Sequence, residues 1–225
     1  MKTLHPFLPD FNELPTLLPI FPFNGSILLP GVQLPLNIFE PRYLNLVQAA
    51  LSEPQHLLGL VQPVMNKVND ESPSLLHRIG CAGRITAYSE TQDGHIILVL
   101  TGVCRFERAT ELNEHQGFRR IQINWARFAD DYSYHNDTIP IKEREQLITE
   151  LQRFCACQQI ELPWEELAHM TDAILVNLLC AHLPIDPDDK QSLLEIVKLS
   201  ERAKLLRSLL AMAVFVHTHG STSLH

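Results

Sequence analysis

The sequence predicts an α+β fold, in which a β-rich N-terminal half with one helix precedes an α-helical C-terminal half. Before position 128, apolar residues alternate with a period of two in several segments, as between Ile79 and Ala87. This period is typical of β strands. Turn sequences such as Pro30-Gly31 and Asp93-Gly94 separate those segments. From Ile141 onward, apolar residues recur at helical spacing instead.

The first predicted strand, Leu17–Phe23, contains two prolines. Pro19 and Pro22 cannot donate a backbone hydrogen bond to a neighbouring strand, so we expect this segment to lie at a sheet edge or to be bent. The proline-rich residues 1–16 before it are expected to form an extended leader.

A second strand and a helix follow. Gly31 supplies the positive φ required by the turn that precedes the strand Val32–Phe39. Pro41 suits the first turn of a helix, where its missing N–H costs nothing. The apolar residues at helical spacing in this helix are Tyr43, Leu44, Val47 and Leu51.

Four further strands complete the β-rich half. The segment Leu57–Val64 is a short apolar strand, and Asp93-Gly94 turns the next strand into Ile96–Phe106. Residues 96–100 are apolar at every position, which predicts burial on both faces. In the last strand Ile121, Ile123 and Trp125 share the core face, with Arg119 and Arg127 at its ends. A curled sheet or small barrel is the expected outcome.

The predicted domain organisation is a leader (1–16), a β-rich unit (17–128), a polar linker (129–140), a helical unit (141–219) and a frayed tail (220–225). Four helices with short connections predict a bundle. Asp186 and Pro187 form a strong helix start, and Ser200 is expected to cap the last helix. Three apolar stripes are predicted: Leu147, Leu151 and Phe154; Leu167, Met170, Ile174 and Leu178; Ala203, Leu206, Leu210 and Ala213.

Charge and cysteine usage exclude several classes of protein. Residues 1–128 carry 11 acids and 10 Lys/Arg, whereas residues 129–225 carry 15 acids and 8 Lys/Arg. This balance argues against nucleic acid as a partner. The five cysteines are scattered through apolar segments, which favours reduced thiols in a cytoplasmic protein. We expect no signal peptide and no membrane-spanning segment.

Catalytic and metal-binding motifs are scarce. The sequence contains no P-loop, dinucleotide fingerprint, nucleophile elbow or His-Glu-x-x-His motif. Cys155-x-Cys157 and the histidines of the tail are interpreted as packing and fraying residues, so neither a metal nor a cofactor is predicted. A Cys–His hydrolase would have to bring Cys81 or Cys104 to a histidine such as His77 or His95. Arg119-Arg120 is interpreted as a solvated strand face.

The corner Glu40-Pro41-Arg42 joins the second strand to the helix. One interpretation places a polar anchor there, at the mouth of a binding groove. The preferred interpretation is structural: Glu40 stabilises the positive end of the helix, and Arg42 pairs with a carboxylate or with backbone carbonyls. Gly31, Pro41, Asp186 and Pro187 are likewise expected to be structural.

Three stretches carry a family resemblance: IFPFNGSILLPGVQLPLNIFEPRYLNLVQAAL, the glycine-marked strands ending in Gly102-x-x-Arg105-Phe106, and the element Leu-Pro-x5-Lys-Gln-x-Leu-Leu-Glu at 183–195. Over about residues 17–215 the chain resembles the N-terminal, substrate-binding domain of Lon proteases, particularly its small stand-alone bacterial relatives. The resemblance implies a PUA-like pseudo-barrel followed by a helical bundle. It also implies a module that binds substrate polypeptides or mediates assembly. The family's ATPase and peptidase modules have no counterpart here, so no catalytic residue carries over.

The leading hypothesis is therefore a non-catalytic module that binds unfolded or extended polypeptides at a strand edge or groove. The candidate contact residues are Pro35, Leu36, Phe39, Arg42 and Tyr43. One alternative is a scaffold or adaptor that self-associates or binds one dedicated partner protein. A cleft enzyme and an RNA-binding PUA-like protein are less favoured, and neither nucleic acid nor membrane is expected as a partner.

Overall fold

The computed structural model of the chain describes Phe7, residues 10–64 and residues 75–220. It divides into two compact units, Met1–Tyr134 and His135–His225. Most of the predicted leader and the tail beyond residue 220 lie outside the described residues.

The described residues of the first unit form six strands, one α helix and two 3-10 segments. Its elements are a 3-10 turn at Phe11–Glu13, β1 (Leu17–Pro22), β2 (Gln33–Ile38), α1 (Pro41–Ser52), β3 (Leu57–Val61), β4 (Ile79–Glu90), β5 (Ile96–His115), β6 (Phe118–Asn124) and a 3-10 segment at Ala126–Asn136. The turn predictions are confirmed, because Gly25, Gly31 and Gly94 all have φ near +80°. The helix α1 begins at Pro41, as expected, but its buried residues are Leu46, Val47 and Ala50.

The six strands form one sheet in the order β2-β5-β4-β3-β1-β6, and β6 also pairs with β5. The length of β5 makes this closure possible. Its first part, Ile96–Thr101, pairs with β2, and its later part, from Glu107 to His115, pairs with β6. Five strands therefore close into a ring, and β2 is added beside the first part of β5. The predicted α+β fold with a curled, barrel-like sheet is confirmed.

The predicted edge position of β1 is wrong, because β1 lies between β6 and β3. Residues 17–20 pair with β6, whereas pairing with β3 covers only residues 20–22. Each proline thus lies in a part of β1 that has a strand partner on one side only. A strand that has a partner on only one side at each proline tolerates those prolines, whereas a strand paired on both sides along its whole length would not.

Two predictions about strand faces are also corrected. Ile97 is 50% exposed, while Ile96, Leu98 and Leu100 are buried. The strand β5 therefore has a single core face here, and its outer face carries apolar residues. Arg119 is not on a solvated face, because its side chain is largely buried and pairs with Glu111. The predicted inward direction of Ile121, Ile123 and Trp125 is confirmed.

The element Gly102-x-x-Arg105-Phe106 packs against three separate parts of this unit: the segment before β2, the strand β3 and the strand β4. A Cβ on Gly102 would lie 2.1 Å from the carbonyl oxygen of Leu29, so only glycine lets the two backbones approach this closely. The ring of Phe106 is fully buried and occupies the space where Gly59 and Gly80 lack side chains. The motif is therefore explained by packing.

Arg105 forms a buried ion pair with Asp131. Its Nε and Nη2 donate to the two carboxylate oxygens at 2.8 and 2.6 Å, and its backbone N–H donates to the same carboxylate at 2.9 Å. The guanidinium also lies 4.3 Å from the ring centre of Phe128. Residues 129–134 are thus not the polar linker that the sequence predicts, because Asp131 anchors this segment to the barrel.

Up to residue 220, where the description ends, the second unit contains five helices: α2 (Ile141–Gln158), α3 (Trp164–His169), α4 (Asp172–His182), α5 (Pro187–Glu195) and α6 (Leu199–Gly220). The stripes predicted for α2 and α6 are confirmed, except that Ala213 is only half-buried. The stripe predicted through Leu167 and Ile174 is wrong, because α3 ends at His169 and α4 begins a new helix. Most of α4 is buried, and such a helix has no amphipathic stripe to reveal it.

Side chains in and beside α5 satisfy backbone groups at helix ends in this unit. Asp186 caps α5 by accepting a hydrogen bond from the N–H of Asp188 at 2.9 Å, as predicted. Lys190 donates to the carbonyl of Ala181 near the end of α4 at 3.0 Å. Ser200 does not cap α6, because that helix already begins at Leu199.

Replacing Arg202 by Met is expected to lower the free energy of unfolding of the helical unit by about 2–3 kcal/mol. The buried guanidinium donates to the carbonyls of Leu193 and Ile196 and to the side-chain oxygen of Asn177, and all three acceptors would lose this donor. Urea unfolding monitored by far-UV circular dichroism measures the loss. Lys198→Met, at an exposed position just before α6, is the matched control and should change the stability by less than about 0.5 kcal/mol.

Candidate binding groove

The structure separates the candidate contact residues that the sequence places together. Pro35 is exposed on β2, and Phe39 is 59% exposed just after it, with its ring 5.7 Å from that of His95. Leu36 is only 7% exposed and lies on the core face of β2. It therefore cannot contact a ligand bound on the outer face.

The other two candidates belong to the corner at the start of α1. Arg42 pairs with Glu40 at 2.7 Å, and this bond raises the pKa of the guanidinium above its ordinary value. Arg42 also lies over the ring of Tyr43, which packs edge-on against Phe21 at 4.5 Å. Burial raises the pKa of the Tyr43 phenol. Arg42 and Tyr43 therefore make their main side-chain contacts with neighbouring residues of the protein.

The free edge of β2 is poorly suited to strand addition. The N–H and C=O groups of Gly102 form hydrogen bonds with the segment leading into β2. Because backbone groups alternate in direction along a strand, the N–H and C=O groups of residues 96, 98 and 100 of β5 also point toward β2. Pro35 lies opposite Val99, which is not one of these alternate residues. The backbone groups of Pro35 therefore point away from β5, toward the outer edge of β2. The proline removes the donor at the middle of this edge, which is a common protection against strand pairing.

A groove on the first unit offers a better-formed site. Its cavity volume is about 420 Å³, within the range of small-ligand sites. Its lining is mainly apolar and comes from β1 and the segment before it, the end of α1, the start of β3 and the β5–β6 hairpin: Pro15, Leu17, Leu18, Pro19, Ala49, Ser52, Glu53, Gln55, Leu57, His115, Phe118 and Arg120.

The groove lies at the unpaired start of β1. In-register pairing between β1 and β3 begins only at Ile20 and Gly59, so Leu17 and Leu57 stand apart and both line the cavity. The segment before β1 is held in place because the indole N–H of Trp125 donates to the carbonyl of Pro15 at 3.0 Å. The apolar atoms exposed to the groove thus come mainly from Leu17, which is 38% exposed, and from the half-buried Pro15, Pro19 and Ala49.

The ionisable side chains that line the groove are Arg120, His115 and Glu53. Arg120 differs from its neighbour Arg119, which forms a two-point pair with Glu111 at 2.5 and 2.7 Å and lowers the pKa of that carboxyl. The recorded hydrogen bond of Arg120 is a long one, from Nη2 to the carbonyl of Asn113 at 3.5 Å. Its buried Nε has no hydrogen-bond acceptor within the part of the chain that the structure describes.

Sequence reasoning missed this groove. Leu17, Pro19 and Arg120 are assigned to the right strands, but no local pattern shows that the end of α1 borders the β5–β6 hairpin. A usable signal is a proline within a predicted strand, because proline favours a position where the neighbouring strand is missing on one side.

Four of the five thiols follow the prediction of buried packing residues, whereas Cys157 is half-buried. Cys81, Cys104, Cys155 and Cys180 are buried. Cys104 donates to the carbonyl of Phe128 at 3.4 Å, and burial raises the pKa of its thiol well above the ordinary value. A thiol in this state is a poor nucleophile. Within the described ranges, no three His, Cys, Asp or Glu side chains cluster to hold a metal ion.

No helix in the described residues is both long enough and apolar enough to cross a membrane.

Two solved structures share this fold. The Lon N-terminal domain protein from Xanthomonas campestris is 22% identical with a TM-score of 0.61, and the comparison covers 86% of this chain and 98% of that one. The N-terminal domain of the Mycobacterium avium complex Lon protease is 16% identical with a TM-score of 0.60, covering 87% and 98%. At this identity the likeness shows the fold alone.

Sequence comparisons identify the family. The Lon protease of Anaeromyxobacter dehalogenans is 26% identical over 208 residues, and Lon protease 2 of Myxococcus xanthus is 28% identical over 213 residues. Each alignment covers 91% of this chain but only 24% of the relative, so the chain spans about a quarter of those proteins. The family model of the ATP-dependent protease La (LON) substrate-binding domain matches residues 17–212, and the chain therefore belongs to this family.

Proposed function

We propose that this chain is a non-catalytic module that binds unfolded or extended polypeptides, and that the groove beside Leu17 holds apolar segments of them. The family description names a substrate-binding domain, and the curated relatives are proteases whose substrates are polypeptides. The 225 residues contain none of the nucleotide-binding or hydrolase motifs sought above, which supports binding without catalysis. The burial of four of the five cysteines as packing residues supports a reducing, cytoplasmic location.

The observation that carries this proposal is the apolar surface of the groove. Leu17 is 38% exposed and Pro19 is half-buried, and the buried Leu57 and Phe118 complete the lining. Water must be removed from this surface when a ligand binds, and each apolar side chain buried there contributes about 1.5–3 kcal/mol at most. A groove of about 420 Å³ accommodates a few side chains rather than a folded domain.

Replacing Leu17 by Asp is expected to weaken polypeptide binding by about tenfold or more, because the change removes an apolar contact and adds a charge that must be desolvated. Leu17 is 38% exposed, so the folded state should tolerate the change. Fluorescence anisotropy with a labelled apolar peptide, and with a reduced, carboxymethylated unfolded protein as competitor, measures the affinity.

Phe39→Asp is the matched control, because Phe39 is an exposed apolar residue of the same unit outside the groove. Its affinity should equal that of the unchanged protein. A loss of binding in Phe39→Asp but not in Leu17→Asp would instead favour the outer face of β2. An unchanged protein that binds neither probe at micromolar concentration would contradict the proposed function.

A further inference from the structure

We propose that the groove receives the C-terminal end of an apolar polypeptide and that Arg120 binds the terminal carboxylate. This inference rests on the proposed function and specifies which part of a polypeptide the groove selects. In this proposal Arg120 recognises the ligand, a role that the sequence pattern of β6 does not indicate.

The state of the Arg120 side chain supports a missing acidic partner. Among the described residues Arg120 has no carboxylate partner, and its hydrogen bond, from Nη2 to the carbonyl of Asn113, is at the outer limit of length. The side chain also lines the groove, where a ligand can reach its terminal nitrogens. A carboxylate matches the guanidinium geometrically and forms the strongest class of hydrogen bond with it.

The position of Arg120 in the sheet favours a chain end over a side chain in mid-sequence. Arg120 pairs with Pro19, and the next residue, Ile20, pairs with both Arg119 of β6 and Gly59 of β3. A chain lying along Leu17 and Pro19 therefore reaches Arg120 just before β1 becomes paired on both sides. A terminal carboxylate fits at this point because no further residue has to pass it.

Two other ionisable side chains line the groove. His115 is an additional donor on the β5–β6 hairpin, and Glu53 follows the last turn of α1. Glu53 disfavours a second acidic residue in the ligand. The expected ligand is thus apolar throughout, with its one negative charge at the C-terminus.

The test compares three labelled peptides on the full chain by fluorescence anisotropy. They share one apolar sequence and end in a free carboxylate, in an amide, or in an amide with an internal Glu. The free acid should bind about tenfold more tightly than the amide, as expected for a charge-assisted bond. Arg120→Met should remove this preference while still binding the amide. Arg153→Met, a change at an exposed arginine of α2 outside the groove, should retain it.

Equal binding of free acid and amide by the unchanged protein would overturn this inference but leave the proposed function intact. Equal binding of the free acid and the internal Glu peptide would overturn the selection of a chain end. Absence of binding by all three peptides would contradict the proposed function itself. Thermal unfolding of Arg120→Met checks that the variant is folded, and Arg120→Lys, which keeps the charge, should retain part of the preference.

Discussion

Replacing Gly102 by Ala is expected to unfold the β-rich unit or to destabilise it by more than about 3 kcal/mol, which is beyond the usual cost of overpacking. The added Cβ would lie 2.1 Å from the carbonyl oxygen and 2.7 Å from the carbonyl carbon of Leu29. Backbone atoms cannot rotate away as a side chain can. The segment is also held by hydrogen bonds from Gly31 to the carbonyl of Gly102 and from Gly102 to the carbonyl of Val32, both 2.9 Å long.

Soluble expression and urea unfolding, monitored by the fluorescence of Trp125 in this unit, measure the effect. Gly94→Ala is the matched control, because a Cβ there meets nothing within 4 Å and the only cost is its φ of +82°. That cost is about 1–2 kcal/mol. If Gly102→Ala were as stable as Gly94→Ala, the close approach of Leu29 would not be essential to the fold.

Replacing Asp131 by Ala is expected to lower the free energy of unfolding by about 3–5 kcal/mol, since the change leaves a buried cation without its carboxylate. The Arg105 side chain is 1% exposed, so water cannot take the place of Asp131. The same change removes the acceptor of the Arg105 backbone N–H. Urea unfolding at neutral pH, with the first unit followed by fluorescence, measures the loss.

A double-mutant cycle separates the ion pair from simple packing. Combining Asp131→Ala with Arg105→Met should recover part of the stability, because the buried charge is then removed as well. Glu40→Ala breaks the exposed pair with Arg42 and serves as the control. It should cost less than about 1 kcal/mol. A cost for Asp131→Ala as small as that for Glu40→Ala would show that the buried pair does not stabilise the barrel.

Local rules account for the parts of the fold that sequence reasoning predicts correctly. The positive φ of Gly31 and Gly94 follows from turn chemistry, and the cap at Asp186 follows from the orphan N–H groups of a helix start. The buried stripe Leu147, Leu151 and Phe154 follows from a period of 3.6 residues. Each of these signals lies within about two helical turns of chain.

The errors occur where partners are distant in sequence. Asp131 lies in a polar stretch without a hydrophobic period, yet it is buried. Its burial is possible because Arg105, 26 residues earlier on β5, forms an ion pair with its carboxylate. The strand β1 contains prolines that predict an edge, but its two neighbours occupy different parts of its length. Burial of α4 on most sides hides its helical period.

The sequence by itself determined the α+β class, the turns, the helix starts and the family resemblance, because these depend on short-range spacing and on motifs read along the chain. Only the tertiary structure brought the residues of the candidate groove together. Leu17, Ala49 and Arg120 border one groove because β6 closes the sheet against β1 and because α1 packs beside the β5–β6 hairpin. Such contacts depend on the sum of many non-local pairings, and no single segment of the chain encodes them.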